Sequence, residues 1–216
     1  MNDRSREVTA ADIAQLLRGI EKAAQRVGYS LDQVLDVTAI TTATGVGPDR
    51  VRALLGGAEP QQPPRESKAR VEFYRQMVSQ RLDLLRKRRA DSSSPEGDSY
   101  RRIAEELGLA HTLIGFLVKG QRSAREEYSR PLERFYGVEH GFLSKLEGEA
   151  LADELEKIKT ALLASALRQG FLALGGEQAA LRHSGGEPVT MEDLVAALDD
   201  LMARKGIPHP TEDGDR

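Results

Sequence analysis

The stretch Ser99–Arg122, SYRRIAEELGLAHTLIGFLVKGQR, constrains the fold more than any other part of the chain. Ile103, Leu107, Ile114 and Leu117 form an apolar set at helical spacing that is broken once. The break is Gly108-Leu109-Ala110. A glycine there can take the left-handed backbone that a tight turn needs, and Leu109 can plug the space between two helices. Ala104 is small, which lets the second helix approach the first. Ser99 is a natural cap for the first helix and Gly120 a natural stop for the second. The pattern predicts helices over Tyr100–Leu107 and His111–Lys119, crossing steeply across a short turn.

The same pattern occurs 63 residues earlier, within LDQVLDVTAITTATGVGPDRVRALLGG. Ile40 matches Ile103, Gly45 matches Gly108, Val46 matches Leu109, Val51 matches Ile114, Leu54 matches Leu117 and Gly57 matches Gly120. Pro48 falls at the start of the second helix, where a missing N–H costs least. Two positions depart: Thr41 stands where Ala104 does and Thr44 where Leu107 does. The first copy reads as a degenerate version of the second, or as a generic helix pair.

Around these pairs the chain reads as helices and linkers. Residues 1–9 are polar and expected to fray. Ala10–Val27 carries the stripe Ile13, Leu16, Leu17, Ile20 and Val27, with Gly28 as a stop and Ser30 as the next cap. Ala58–Pro64, AEPQQPP, is a proline-stiffened linker. Arg70–Arg89 returns to helix and ends in the basic run RKRR, and Ala90–Asp98 is a polar loop. Glu127–Tyr136 is helical, and a long helix follows over about Leu146–Leu167. There Leu151, Leu155, Ile158 and Leu162 form a heptad seam. A short helix is expected over Phe171–Arg182. Thr190 with Asp193 resembles a capping box and opens a last helix with Leu194, Leu198 and Leu201, stopped by Gly206. The expected organisation is a helical unit at 1–60, a linker at 61–69, a helical domain at 70–145, a helical module at 146–207 and a disordered tail at 208–216.

Charge distribution says more than the net charge of −3. Residues 65–90 hold nine basic and three acidic groups, whereas residues 147–216 hold seven basic and fourteen acidic. A local basic stripe next to the central helix pair is an electrostatic footprint for nucleic acid, whatever the total. The chain has no cysteine, which excludes disulfides and thiolate metal sites and fits a reducing cytoplasm. It opens with no signal segment, and no apolar run approaches the roughly 20 residues of a membrane span. The histidines, His111, His140, His183 and His209, lack metal-ligand spacing, and no phosphate-binding glycine loop or H-E-x-x-H stretch occurs. No enzyme, cofactor, metal or small-molecule ligand is indicated.

Leu82–Leu143 resembles the lambda-repressor-like (XRE) helix-turn-helix domain. The resemblance is carried by IAEELGLAHTLIGFLVKGQR at Ile103–Arg122 and LERFYGVEHGFL at Leu132–Leu143. Within that family, residues 71–207, ending in LVAALDDLMARKGI, are similar to mycobacterial nucleoid-associated regulators of the EspR type. The resemblance implies an all-α chain: a five-helix DNA-binding domain at 70–145, preceded by a degenerate helix-turn-helix repeat and followed by a C-terminal helical dimerisation module. It implies a homodimer on double-stranded DNA, in the cytoplasm at the nucleoid. The dimerisation residues would be Leu151, Leu155, Ile158, Leu162, Leu194, Leu198 and Leu201.

The candidate DNA-facing residues follow from position. Ser99, Arg101 and Arg102 lie at the start of the first motif helix, where helix N-termini and arginines both suit phosphate. His111 and Thr112 start the second helix, the one that enters the major groove in this family. Phe116 either touches a thymine methyl or packs inward. Gly115 weakens its helix, and either allows close approach to DNA or has no role there. Lys119, Gln121 and Arg122 fall near the flanking backbone, and Arg50 and Arg52 are the equivalents in the first copy. The family usually places Gln, Ser, Asn and Arg where this chain has Ala110, His111, Thr112, Gly115, Phe116 and Lys119. Few of these make bidentate base contacts, which argues against strong sequence discrimination. The expected function is a sequence-preferring, DNA-binding transcriptional regulator. The alternatives are an architectural nucleoid protein, or an interaction adaptor that has lost DNA binding.

Overall fold

The computed structural model describes residues 7–93, 99–173 and 190–207. They form ten α-helices, with no strand among them. In chain order these are α1 (Ala10–Arg26), α2 (Leu31–Val34), α3 (Val37–Thr44), α4 (Pro48–Leu55), α5 (Ser67–Ser93), α6 (Tyr100–Leu107), α7 (His111–Val118), α8 (Glu126–Tyr136), α9 (Glu147–Ala173) and α10 (Met191–Lys205). No described helix is long and apolar enough to cross a membrane. The start of the expected frayed terminus, most of the 90–98 loop, the far part of the Phe171–Arg182 helix and the 208–216 tail lie outside the described residues.

Two compact units result. One takes α3 to α8 and the first turn of α9; the other takes α1, α2, the rest of α9 and α10. The boundaries of these units fall at 9/10, 36/37 and 151/152. The reason lies in α1. Its buried face, Ile13, Ile20, Ala23 and Ala24, needs apolar partners, and Ala23 finds them in Leu163 of α9 and Val195 of α10. An ion pair from Arg26 to Asp199 at 3.1 Å sits on the same packing.

In the first unit the core is built by Val78, Leu82 and Leu85 of α5, Ile103 and Ala104 of α6, four residues of α7, Leu132 of α8, and Phe142 with Leu143. The turn between α6 and α7 forms because Gly108 adopts φ +64° and the Leu109 N–H reaches back to the Ala104 carbonyl at 2.8 Å. The α3–α4 pair shows matching local features. Gly45 has φ +70°, Pro48 opens α4, and Ile40, Val51 and Leu54 are buried as Ile103, Ile114 and Leu117 are. Thr44 is buried at the position of Leu107 because its hydroxyl is satisfied locally. It donates to the Ile40 carbonyl at 2.7 Å and accepts from the Val46 N–H at 3.2 Å. Among the described residues the Thr41 hydroxyl has no partner, a local cost of the departure from alanine.

In the second unit α9 and α10 pack at Gly170, where an added Cβ would lie 2.3 Å from Leu198 Cδ2. Thr190 caps α10 through the expected box with Asp193, and Gly206 ends it at φ +68°. The buried stripe of α10 is Val195, Leu198 and Met202, while Leu194 and Leu201 are half-buried. Leu198 belongs to both sets, so the stripe is the expected one turned by less than one residue's step of about 100°. Of the expected α9 seam, Leu151 and Leu155 are buried, while Ile158 and Leu162 are half-buried; Leu163 is buried beside them.

Candidate nucleic-acid interface

Helix α7 divides cleanly. Leu113, Ile114, Leu117 and Val118 are buried against α5 and α6, and His111, Thr112, Phe116 and Lys119 are exposed. The apolar pairs Leu113-Ile114 and Leu117-Val118 recur at helical spacing and are held by the core, which leaves His111, Thr112, Phe116 and Lys119 on the opposite face. Phe116 is 47% exposed, which settles its direction: it does not pack inward. Ala110 gives α7 no side-chain cap, so the N–H groups of His111 and Thr112 are left for solvent or an external acceptor.

The pair is held firmly from behind. Ser79 of α5 donates to the Val118 carbonyl, and Arg75 Nε donates to the Ser123 hydroxyl at 3.2 Å. The Arg86 guanidinium lies 4.6 Å from the centre of the Tyr100 ring, and Tyr100 lies beneath Gly115, where an added Cβ would meet its ring at 3.6 Å. These supports were not visible in the sequence, because each joins residues far apart in the chain and serine or arginine at those positions carries no pattern.

The other predicted residues fall into different settings. The Ser99 hydroxyl accepts the Arg102 N–H at 3.2 Å and acts as the α6 cap. Arg101 and Arg102 are exposed, and Arg101 pairs with Glu105 at 2.8 Å, a hydrogen bond that raises its pKa. Gln121 and Arg122 are exposed beyond the far end of α7. Arg52 is exposed and pairs with Asp49. Arg50 differs: it donates to both carboxylate oxygens of Glu147 and to the Glu59 carbonyl, so it is an internal tie rather than a free surface cation. Its hydrogen bond to Glu147 raises its pKa in spite of burial.

The basic segment 65–90 is also less available than its charge implies. Arg81 is buried, Arg86 and Arg89 lie over the rings of Tyr100 and Phe135, and Lys87 pairs with Asp83 at 2.7 Å. Much of that charge therefore braces the fold. Of the proposed dimerisation residues, Leu151, Leu155 and Leu198 are interior to the single chain, so they cannot form a free seam. Among the described residues no cluster of His, Asp or Glu is placed to hold a metal ion. Compared with models of known families, with curated proteins and with solved structures, the chain has no significant match.

Proposed function

We propose that the chain is a double-stranded DNA-binding transcriptional regulator and that α6–α7 is a helix-turn-helix with α7 as its recognition helix. The observation that carries this reading is the exposed stripe His111, Thr112, Phe116 and Lys119 on a helix whose opposite face is locked into the core. Arg101 and Arg102 at one end and Arg122 at the other are exposed where phosphates would flank such a helix in a major groove. The α3–α4 pair is a degenerate second copy whose best-placed arginine is engaged with Glu147.

The same stripe favours a second reading. Few of its side chains offer the bidentate base recognition that gives sharp operators, so an architectural role with weak sequence preference fits it as well. A homodimer belongs to the proposal, because a second linked unit raises the effective concentration of the second contact. Leu151 and Leu155 are buried within the single chain, so the proposal does not rest the interface on them.

The test is a titration of the full chain against a random-sequence duplex across a salt series. Affinity should fall linearly on logarithmic axes, with a slope of about −0.9 per phosphate neutralised. Binding that is absent at low salt, or unaffected by salt, sinks the proposal. Mapping of bound sites on a genome separates the readings: discrete sites support the regulator, and spread footprints the architectural protein. Light scattering that finds only monomer at working concentrations removes the dimer.

A further inference from the structure

The first unit contains a cavity of about 420 Å³ beside the Gly45–Gly47 turn, a size within the range that holds small molecules. One face of α5 lines it through Phe73, Met77, Arg81 and Leu84, and Val46 adds an apolar wall from the turn. Gln76 and Gln80 stand at its exposed edge. Gly45 permits this arrangement, since an added Cβ would lie 2.9 Å from Arg81 Cγ and 2.7 Å from the Phe142 ring.

Arg81 is the unusual member. It is 2% exposed, yet its guanidinium makes one hydrogen bond among the described residues, to the Phe142 carbonyl. A guanidinium has five N–H donors, so most of them are left over. It forms no ion pair among the described residues; Glu147, Glu133 and Glu149 attract its charge from a distance while their oxygens accept other donors. Glu147 holds Arg50 and the Gln61 N–H, Glu133 accepts the N–H groups of Gly141 and Leu143, and Glu149 accepts that of Leu146. Burial pushes the Arg81 pKa down to about 10, so the group stays charged at neutral pH. A buried charge with no ion-pair partner in contact, braced only by the Phe142 ring and by more distant carboxylates, is costly, and its place on a cavity wall suits an anion.

We propose that this cavity binds a small monocarboxylate with an apolar body, its carboxylate on Arg81 and its hydrocarbon against Val46, Phe73, Met77 and Leu84. One negative charge is the match, because Arg50 and Glu147 pair with each other and leave Arg81 as the one charged group of the lining with no ion pair in contact. A dianion would meet Glu147. The site lies on α5, the helix that also holds the end of α7 through Ser79, so it is placed to report an effector.

The test is calorimetry on the full chain with octanoate and with octanamide, a neutral ligand of the same length. Octanoate should bind at least about tenfold more tightly than the amide, the scale of a charge-assisted hydrogen bond. Arg81→Met should remove that preference. Met77→Trp, which fills the cavity from a half-buried position, should weaken octanoate by at least about tenfold. Equal binding of octanoate and octanamide, or no binding of either, overturns the proposal. So does a Met77→Trp protein that keeps the wild-type circular dichroism spectrum and binds octanoate unchanged. If Arg81→Met does not fold, the two-ligand comparison and Met77→Trp decide the matter. None of these readouts involves DNA, so the outcome is independent of the nucleic-acid proposal.

Discussion

Arg50 and Glu147, 97 positions apart in the chain, face each other as a two-pronged ion pair, with Arg50 Nε 3.0 and 3.1 Å from the two carboxylate oxygens. The pair ties the start of α4 to the start of α9, and the Gln61 N–H adds a further bond to the same carboxylate at 2.6 Å. Both side chains are largely shielded. Arg50→Ala should therefore destabilise the first unit by about 1–3 kcal/mol, the usual loss when a hydrogen bond to a charged group is removed. Urea unfolding measures it. The salt slope of DNA binding should not change; a flatter slope with unchanged stability would return Arg50 to the DNA face.

Arg101, Arg102 and Arg122 should behave in the opposite way. All three are exposed at the two ends of the α6–α7 pair. Replacing them with Ala should weaken binding to every duplex about equally and reduce the salt slope by about 1 for each phosphate that is no longer neutralised. Stability should change by less than about 0.5 kcal/mol, since these are surface positions. An unchanged slope in the triple variant would remove them from the interface.

The second unit carries a pH-dependent ion pair. Lys159 Nζ lies 2.8 Å from Glu192 and 3.1 Å from Glu156. Burial opposes the Lys159 charge, but the hydrogen bonds to the two carboxylates outweigh it and its pKa ends raised. The hydrogen bond from Lys159 holds the Glu192 pKa below its ordinary 4.5. A carboxyl with a depressed folded pKa contributes stability above its unfolded value and loses it as pH falls through the folded one. Glu192→Gln should thus cost less than about 1 kcal/mol at neutral pH, because Glu192 is half exposed and screened. The gap from wild type should narrow below pH 4.5 and close once Glu192 is protonated. Thermal melts at several pH values would show it, and a gap that widens on acidification would refute it.

What the sequence made legible was local. Gly108 with Leu109, Ser99 with Arg102, and Thr190 with Asp193 act within a few residues of each other, and the helix ends they set are observed where the pattern put them. What it concealed was long-range. Nothing near Ala23 points to Leu163 and Val195, so the allegiance of α1 could not be read. The arginines of 65–90 looked like one basic surface, but Arg81, Arg86 and Arg89 are claimed by Phe142, Tyr100 and Phe135. On α10 the sets Leu194–Leu198–Leu201 and Val195–Leu198–Met202 satisfy helical spacing equally, and only packing against α9 at Gly170 chooses between them. The apolar seam of α9 was visible, but not that Leu151 and Leu155 are covered within one chain.

Two helical glycines show how packing sets the sign of one substitution. Both Gly115→Ala and Gly170→Ala gain up to about 1 kcal/mol of helix propensity. At Gly115 the new methyl meets only the Tyr100 ring at 3.6 Å, an ordinary van der Waals distance, so the gain survives and the protein should be stabilised by about 0.5–1 kcal/mol. At Gly170 the methyl would lie 2.3 Å from Leu198 Cδ2 and 3.0 Å from its Cγ. Leu198 is itself buried with Met202, Leu167 and Phe171, so it has no room to retreat and α10 must shift. Overpacking of that kind costs about 1–3 kcal/mol and outweighs the propensity gain, so Gly170→Ala should destabilise. Urea unfolding of the two variants should move the midpoint in opposite directions. Gly115→Ala carries a second readout, since Gly115 lies on the face of α7 proposed to meet DNA. If the backbone approaches DNA closely there, the stabilised variant should bind duplex more weakly than wild type at the same salt. Stabilisation with unchanged binding would mean that Gly115 has no part in the DNA interface, and a destabilised Gly115→Ala would refute the packing argument for that position.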